Sequence, residues 1–186
     1  MAIELVYETH STTIDNETGI ATGWLEGRLS DIGRVQAAEL GERRRDDGLA
    51  AVFTSDLGRA IETAEIAFAD SELPVHHDGR LRECNYGELN GTPVADLDEQ
   101  ERRRRIEEPF PGGESYRQVV ERTRDFLNGL FPELDGARVL LIAHSANRWA
   151  LQHVLLGVPL EDLVGAPFDW QEGWEYALPG QLPVQG

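Results

Sequence analysis

Two histidines sit at the ends of apolar runs. His10 follows Ile3-Glu4-Leu5-Val6-Tyr7, and His144 follows Arg138-Val139-Leu140-Leu141-Ile142-Ala143. Near neutral pH an imidazole can act as a nucleophile, a proton carrier or a hydrogen-bond donor. Open α/β sheets bind ligands outside the carboxyl ends of their strands. Two histidines so placed could converge on one ligand, and two unrelated loop histidines would give the same spacing. A third feature, Thr54-Ser55-Asp56-Leu57-Gly58-Arg59-Ala60, puts small polar residues at a helix start and an Arg in its first turn. Free N–H groups and the helix dipole favour an anion there. A first-turn Arg opposes the dipole, so it has a reason to be there if it grips a phosphate; the plainer reading is a solvated Arg beside an ordinary cap. A fourth feature, Leu81-Arg82-Glu83-Cys84-Asn85-Tyr86-Gly87-Glu88-Leu89-Asn90-Gly91, sets two carboxylates among apolar and glycine residues. Apolar walls raise a carboxyl pKa and suit it to general acid work, whereas in a solvated loop the same acids are ordinary.

Residues 3–7, 50–54 and 138–143 read as strands, the last apolar enough to be buried on both faces, and 174–178 alternate like an edge strand. A helix over 31–47 offers Ile32, Val35, Ala38 and Leu40 for burial, and one over 57–68 offers Leu57, Ile61, Ala64 and Phe68. The clearest helix covers 116–130, with Tyr116, Val119, Val120, Thr123, Leu127 and Leu130 on one face and a Ser115/Gln118 capping box. Another spans 146–156, stopped by Gly157 and Pro159. Strands alternating with helices predict an α/β fold: a three-layer sandwich with a mostly parallel central sheet and helices on both faces. No repeat or linker divides the 186 residues, so residues 1–186 read as one domain. Residues 92–114, broken by Pro109, Pro111, Gly112 and Gly113, read as an excursion over the sheet that shapes specificity.

The chain has 34 acidic and 17 basic residues, a net charge of -17, and every basic residue is Arg. Without Lys there is no Gly-Lys-Ser/Thr phosphate loop, no kinase-type strand Lys and no Schiff base. The acid excess argues against nucleic acid and anionic membrane as partners. No apolar run is long enough to cross a bilayer, and the start lacks the basic region of a signal peptide, so the cytoplasm is the expected location. Cys84, the one cysteine, can form neither an internal disulfide nor a thiolate zinc site. A specific homodimer stays open, as does the choice between a GC-rich and a salt-adapted host.

Together these pieces resemble the histidine phosphatase superfamily, the phosphoglycerate-mutase-like fold, from residue 3 to about residue 156. The family opens with Leu-Val-Arg-His-Gly-Glu-Thr and an Asn six residues after the His; here Leu5-Val6 leads to His10, with Asn16 six residues on. Its next segment is matched by Gly23 to Ser30, Gly33 and Gln36-Ala37, and its Ser-x-Leu-x-Arg-Ala by Ser55 to Ala60 with Thr63-Ala64. Its Leu-x-Glu…Gly…Gly corresponds to Leu81, Glu83, Gly87 and Gly91, its Pro-x-Gly-Glu-Ser to Pro111–Ser115, and its final His-Gly to His144-Ser145.

The resemblance implies that His10 is a nucleophile forming a phosphohistidine. Arg59 and His144 would stabilise the phosphoryl oxygens, and Glu83 would be the general acid and then the base. Ser11, Asn16, Arg28, Ser145 and Arg148 are the candidate substrate-binding residues. No metal or cofactor is implied, and the partner is phosphate or a small phosphorylated molecule. The chain departs from the pattern at Thr9 and Ser11, where the family has Arg and Gly, and at Trp149, where it usually has Arg. Arg28, bordering the site, or Arg148, one turn past His144, could restore the missing charge. Strand alternation puts Glu8 on the side of His10, where a carboxylate would repel phosphate or fix one imidazole tautomer.

Other residues read as structural. His76 and His77 face opposite ways on a strand, His153 packs or caps its helix, Arg102 to Arg105 form a solvated face, and Trp170 and Trp174 pack on the core. The functional expectation is a metal-independent phosphomonoesterase. The alternatives are a degenerate or chemically altered member that binds an anion, and a phosphoglycerate-type mutase.

Overall fold

The computed structural model describes residues 1–180 and 182. The chain runs β1 (Ile3–Thr9), α1 (Ile14–Thr18), β2 (Ile20–Ala21), α2 (Asp31–Arg44), β3 (Ala51–Thr54), α3 (Gly58–Ala67), β4 (Val75–His77), β5 (Thr92–Pro93), α4 (Glu99–Arg104), α5 (Tyr116–Leu134), β6 (Arg138–Ala143), α6 (Ser145–Leu156), α7 (Leu160–Val164) and β7 (Trp174–Leu178). The main sheet has the order β4-β3-β6-β1-β7. The first four strands in that order are parallel, and β7 closes the edge antiparallel to β1.

Period-two alternation sorts the strands onto two cores. Ile3, Leu5 and Tyr7 of β1 and Val139, Leu141 and Ala143 of β6 face α5 and α6. Val6 of β1 and Leu140 and Ile142 of β6 face Leu40 of α2 and Ala64 and Phe68 at α3. Both faces of the central strands are therefore covered, which is why β6 is apolar at nearly every position. The result is the three-layer α/β sandwich that the alternation predicts.

The expected α2 face is rotated. Ile32, Val35 and Ala38 are exposed, and the helix buries Gly33, Ala37, Leu40 and Gly41. The cause is close backbone approach: a Cβ at Gly33 would stand 1.9 Å from the Thr12 carbonyl oxygen, and one at Gly41 2.1 Å from that of Ala67. The two glycines, not the larger apolar residues, choose the packed side.

The capping box of α5 forms as read, and α6 ends at Gly157, whose φ of 69° is left-handed. Strand β4 has no apolar run to announce it. His76 stacks on Phe53, with centroids 5.1 Å apart, and the Nδ1 of His77 lies 2.7 Å from the Thr54 hydroxyl. The His153 Nδ1 donates to the Val158 carbonyl at 2.8 Å, capping α6. The excursion is pinned at both ends. Strand β5 pairs with β2, and the Tyr116 and Arg117 amides donate to the carbonyls of Arg105 and Ile106. Among the described residues no helix is long and apolar enough to cross a membrane.

Candidate active site

Strands β3, β6 and β1 are parallel neighbours, so their carboxyl ends share one rim. Ser55 follows β3, His144 follows β6 and His10 follows β1. The His10 amide donates to the Ala143 carbonyl at 2.9 Å, which continues the ladder and sets the two imidazoles side by side. Their centroids are 5.1 Å apart and their planes 54° to each other. A cleft of about 790 Å³ opens over this rim.

The protons on the two rings follow from their partners. The Nδ1 of His10 is 2.8 Å from the Ser11 carbonyl oxygen. A carbonyl only accepts, so Nδ1 carries the proton and Nε2 keeps a free lone pair. Burial, and then the Arg59 charge, pull the His10 pKa down to about 3, against a weaker raising effect of the Ser11 carbonyl. His10 is neutral at pH 7. His144 is buried, with Nε2 2.7 Å from the Ser55 hydroxyl. That hydroxyl also meets the Leu57 amide, a donor, at 3.4 Å; among the described residues Nε2 is therefore the acceptor open to its hydrogen, and with that hydrogen given to Nε2 the His144 proton resides on Nδ1. This Nδ1 is buried without a partner among the described residues. It is a donor aimed at nothing the protein supplies, which is what a ligand oxyanion requires. Burial, then Arg59 and then His10, hold the His144 pKa well below its usual value.

Arg59 is 2% exposed, so it is no solvated surface residue. Its Nη2 donates to the Gly23 carbonyl at 2.7 Å and its Nη1 to that of Leu25 at 3.0 Å. The cap of α3 is Leu57 and makes no side-chain bond, and the Ser55 hydroxyl before it reaches His144 at 2.7 Å as well as the Leu57 amide at 3.4 Å. The 22–29 segment curls over Arg59 because Gly23, at φ 55°, leaves room for Asn90; a Cβ there would stand 1.8 Å from the Asn90 Oδ1. That oxygen accepts from the Trp24 and Tyr86 amides, and the Trp24 indole donates to the Glu83 carbonyl at 2.7 Å.

Glu83 is buried. Its Oε1 accepts from the amides of Cys84 at 2.7 Å and Ala146 at 3.3 Å. Burial raises its pKa, and the Cys84 amide and Arg59 oppose the rise. The Pro111–Ser115 motif holds this loop. Glu114 accepts from the Asn85 amide and pairs with Arg122, which also donates to the Glu83 carbonyl at 3.0 Å.

The remaining candidates divide. Ser11, Asn16, Ser145 and Arg148 line the cleft with His10, Arg59 and Glu83. The Oδ1 of Asn16 is taken by the Thr13 amide in the cap of α1, which leaves its NH₂ as the outward donor. Arg28 is exposed and lies outside the cleft wall, because the bridge of Thr13 to Leu29 and the Leu29 amide's bond to Glu62 hold that strip outward. Glu8 neither opposes phosphate as a bare charge nor fixes His10. It faces α2, where Arg44 at 2.7 Å and Arg43 at 3.2 Å neutralise it, and the Ser11 carbonyl holds the imidazole. Trp174 is partly buried against the core, whereas Trp170 is 54% exposed at the cleft and does not pack inward.

Sequence reading missed Arg43, Tyr86 and Arg102 in the cleft wall. The signal for Arg102 is in the spacing. Arg103, Arg104 and Arg105 pair with Glu99, Glu108 and Glu101, each four residues away. The residue four after Arg102 is Ile106 and the one four before is Asp98, which caps α4. Arg102 therefore turns into the cleft over the Trp149 ring, 5.9 Å from its centroid.

A family model described as the histidine phosphatase superfamily (branch 1) matches residues 9–169. The chain belongs to that superfamily. A probable phosphoglycerate mutase, GpmB, of Yersinia enterocolitica is 33% identical over 157 residues, covering 81% of this chain and 73% of that one. Among solved structures, a mycobacterial glucosyl-3-phosphoglycerate phosphatase in complex with VO3 is 30% identical, with a TM-score of 0.78 over 88% of this chain and 87% of its own. YhfR of Bacillus stearothermophilus is 26% identical, with a TM-score of 0.83 over 98% and 95%. The fold of histidine phosphatases thus accounts for the two converging imidazoles.

Proposed function

We propose that the protein is a metal-independent phosphomonoesterase that hydrolyses a small phosphorylated metabolite through a phosphohistidine on His10. The observation that carries this reading is the pairing of a bare Nε2 on His10 with an unpartnered Nδ1–H on His144, 5.1 Å apart by ring centroid and beside the Arg59 guanidinium. The His10 Nε2 attacks phosphorus and the P–O bond to the leaving alcohol breaks. Glu83, protonated at the oxygen not held by amides, gives its proton to the departing oxygen. Water then loses a proton to the Glu83 carboxylate and attacks phosphorus, and the P–N bond breaks to release phosphate and free His10. Arg59 supplies the positive charge for the equatorial oxygens, and neutral His144 supplies a hydrogen bond through Nδ1. The cleft volume suits a small molecule. The mycobacterial relative named a phosphatase supports hydrolysis.

The relatives named probable phosphoglycerate mutases favour a second reading, phosphoryl transfer between carbons of phosphoglycerate. Incubating wild type and His10→Ala with an aryl phosphate, with and without chelator, separates the readings. Turnover that survives chelation and vanishes in the variant supports the phosphatase. With phosphoglycerate as substrate instead, transfer between its two carbons without release of phosphate supports the mutase. Phosphate binding without any turnover supports a non-catalytic anion-binding member, and equal turnover in both proteins removes His10 as nucleophile.

A further inference from the structure

Among the described residues, Arg148 is a buried cation with no counter-ion. It is 8% exposed, its Nε is buried without a partner, and its side chain makes no hydrogen bond or ion pair among the described residues, while its backbone amide donates to the His144 carbonyl at 3.2 Å. An unpaired buried charge is costly. What holds it is aromatic: its guanidinium lies 4.6 Å from the Trp174 ring centroid and 5.4 Å from that of Phe168. It lines the same cleft as His10 and Glu83.

Its guanidinium lies to one side of the imidazole pair, against the rings of Trp174 and Phe168. The Trp174 ring packs edge-on against the Tyr7 ring, with centroids 6.2 Å apart, and the Tyr7 hydroxyl donates to the His144 carbonyl. The Arg59 charge weighs on both imidazoles, whereas the Arg148 charge is felt by Tyr7 and Tyr176. A planar guanidinium fixed between two rings keeps its fork of N–H donors pre-aligned for a carboxylate or phosphate.

We propose that Arg148 anchors a second anionic group, carboxylate or phosphate, carried by the leaving part of the substrate. This rests on the phosphatase reading and names its substrate class: a phosphomonoester of an alcohol that is itself an acid. Arg148 is then a specificity residue rather than a replacement for the missing Arg before His10.

Calorimetry tests it with four non-hydrolysable ligands: phenylphosphonate, its 4-carboxy and 4-phosphono derivatives, and the neutral 4-carboxamide. Wild type is expected to bind one or both second-anion ligands about 10- to 150-fold more tightly than the carboxamide. The carboxy and phosphono arms tell which anion is preferred. In Arg148→Gln the four affinities should fall within about threefold of one another. Arg148→Lys, which keeps the charge, should recover part of the preference and guards against misfolding of the first variant. Equal wild-type affinities for all four, or an equal loss for all four in Arg148→Gln, would overturn the proposal. The His10→Ala turnover assay decides the phosphatase reading separately, since these ligands are never hydrolysed.

Discussion

Glu8 and Arg44 form an ion pair at 2.7 Å that is closed to solvent, two residues before His10. Arg43 reaches the same carboxylate, and Arg44 also holds Asp47 at 2.9 Å and the Glu172 carbonyl at 2.9 Å. The pair therefore ties the end of β1 to α2 and to the segment before β7. Removing one partner strands buried charge. Glu8→Ala should cost about 3–5 kcal/mol of unfolding free energy, read by urea titration. A loss below about 1 kcal/mol would show that the cluster relaxes into water.

Gly23 controls the posture of Arg59. Its φ of 55° and the 1.8 Å approach of Asn90 Oδ1 leave no space for a Cβ. In Gly23→Ala the carbonyl that holds Arg59 must move, and kcat/KM should fall roughly 10- to 100-fold, as for loss of one charged hydrogen bond. Gly157→Ala is the control. Its φ is also positive, but open space surrounds it at the far end of α6, so it should cost about 1 kcal/mol of stability and leave kcat/KM near wild type.

Glu83→Gln keeps an acceptor for the Cys84 and Ala146 amides but cannot give up a proton. Turnover of alkyl phosphates, whose leaving oxygen needs that proton, should fall about 10²- to 10⁴-fold, and that of 4-nitrophenyl phosphate far less. In wild type, activity on alkyl phosphates should decline with rising pH as the raised Glu83 carboxyl ionises. An equal loss for both leaving groups would remove Glu83 as the acid.

Acid should destabilise the fold through the histidines. His10 has a folded pKa of about 3 against 6.5 when unfolded, and His144 is lowered as well. Between those values the unfolded chain binds protons that the folded chain refuses. The stabilisation is complete above about pH 6.5 and is lost as pH falls toward 3. At pH 5 one such group accounts for up to about 2 kcal/mol. Glu83, raised by burial, works in the other direction, since its contribution declines as pH rises through its folded pKa. Thermal melts at pH 7 and pH 5 should show a smaller drop for His10→Asn than for wild type, and identical drops would contradict the buried neutral imidazole.

Much of this site could be read from the sequence because its groups sit where strands end. The apolar runs before His10 and His144 fix two strand ends, and parallel pairing then forces them to one rim. Arg59 and Glu83 were legible through motif order. What escaped depends on rotation and distant partners. The buried side of α2 is chosen by the backbone contacts of Gly33 and Gly41, which no hydropathy pattern reports. Arg43 sits in an Arg/Glu-rich helix where nothing marks which basic residue turns toward β1. The outward lie of Arg28 comes from the Leu29–Glu62 bond across 33 positions.

The cleft has two kinds of wall. The groups that would make and break bonds stand at the ends of β1, β3 and β6 and in the loop pinned to α5 by Arg122, while Val94, Leu97, Arg102, Phe168 and Trp170 come from the two segments laid across the top. Changes confined to those segments would retune which reactant is accepted without touching the chemistry. A library varied only at 94–102 and 166–170 would therefore search new substrates on an unaltered reaction centre.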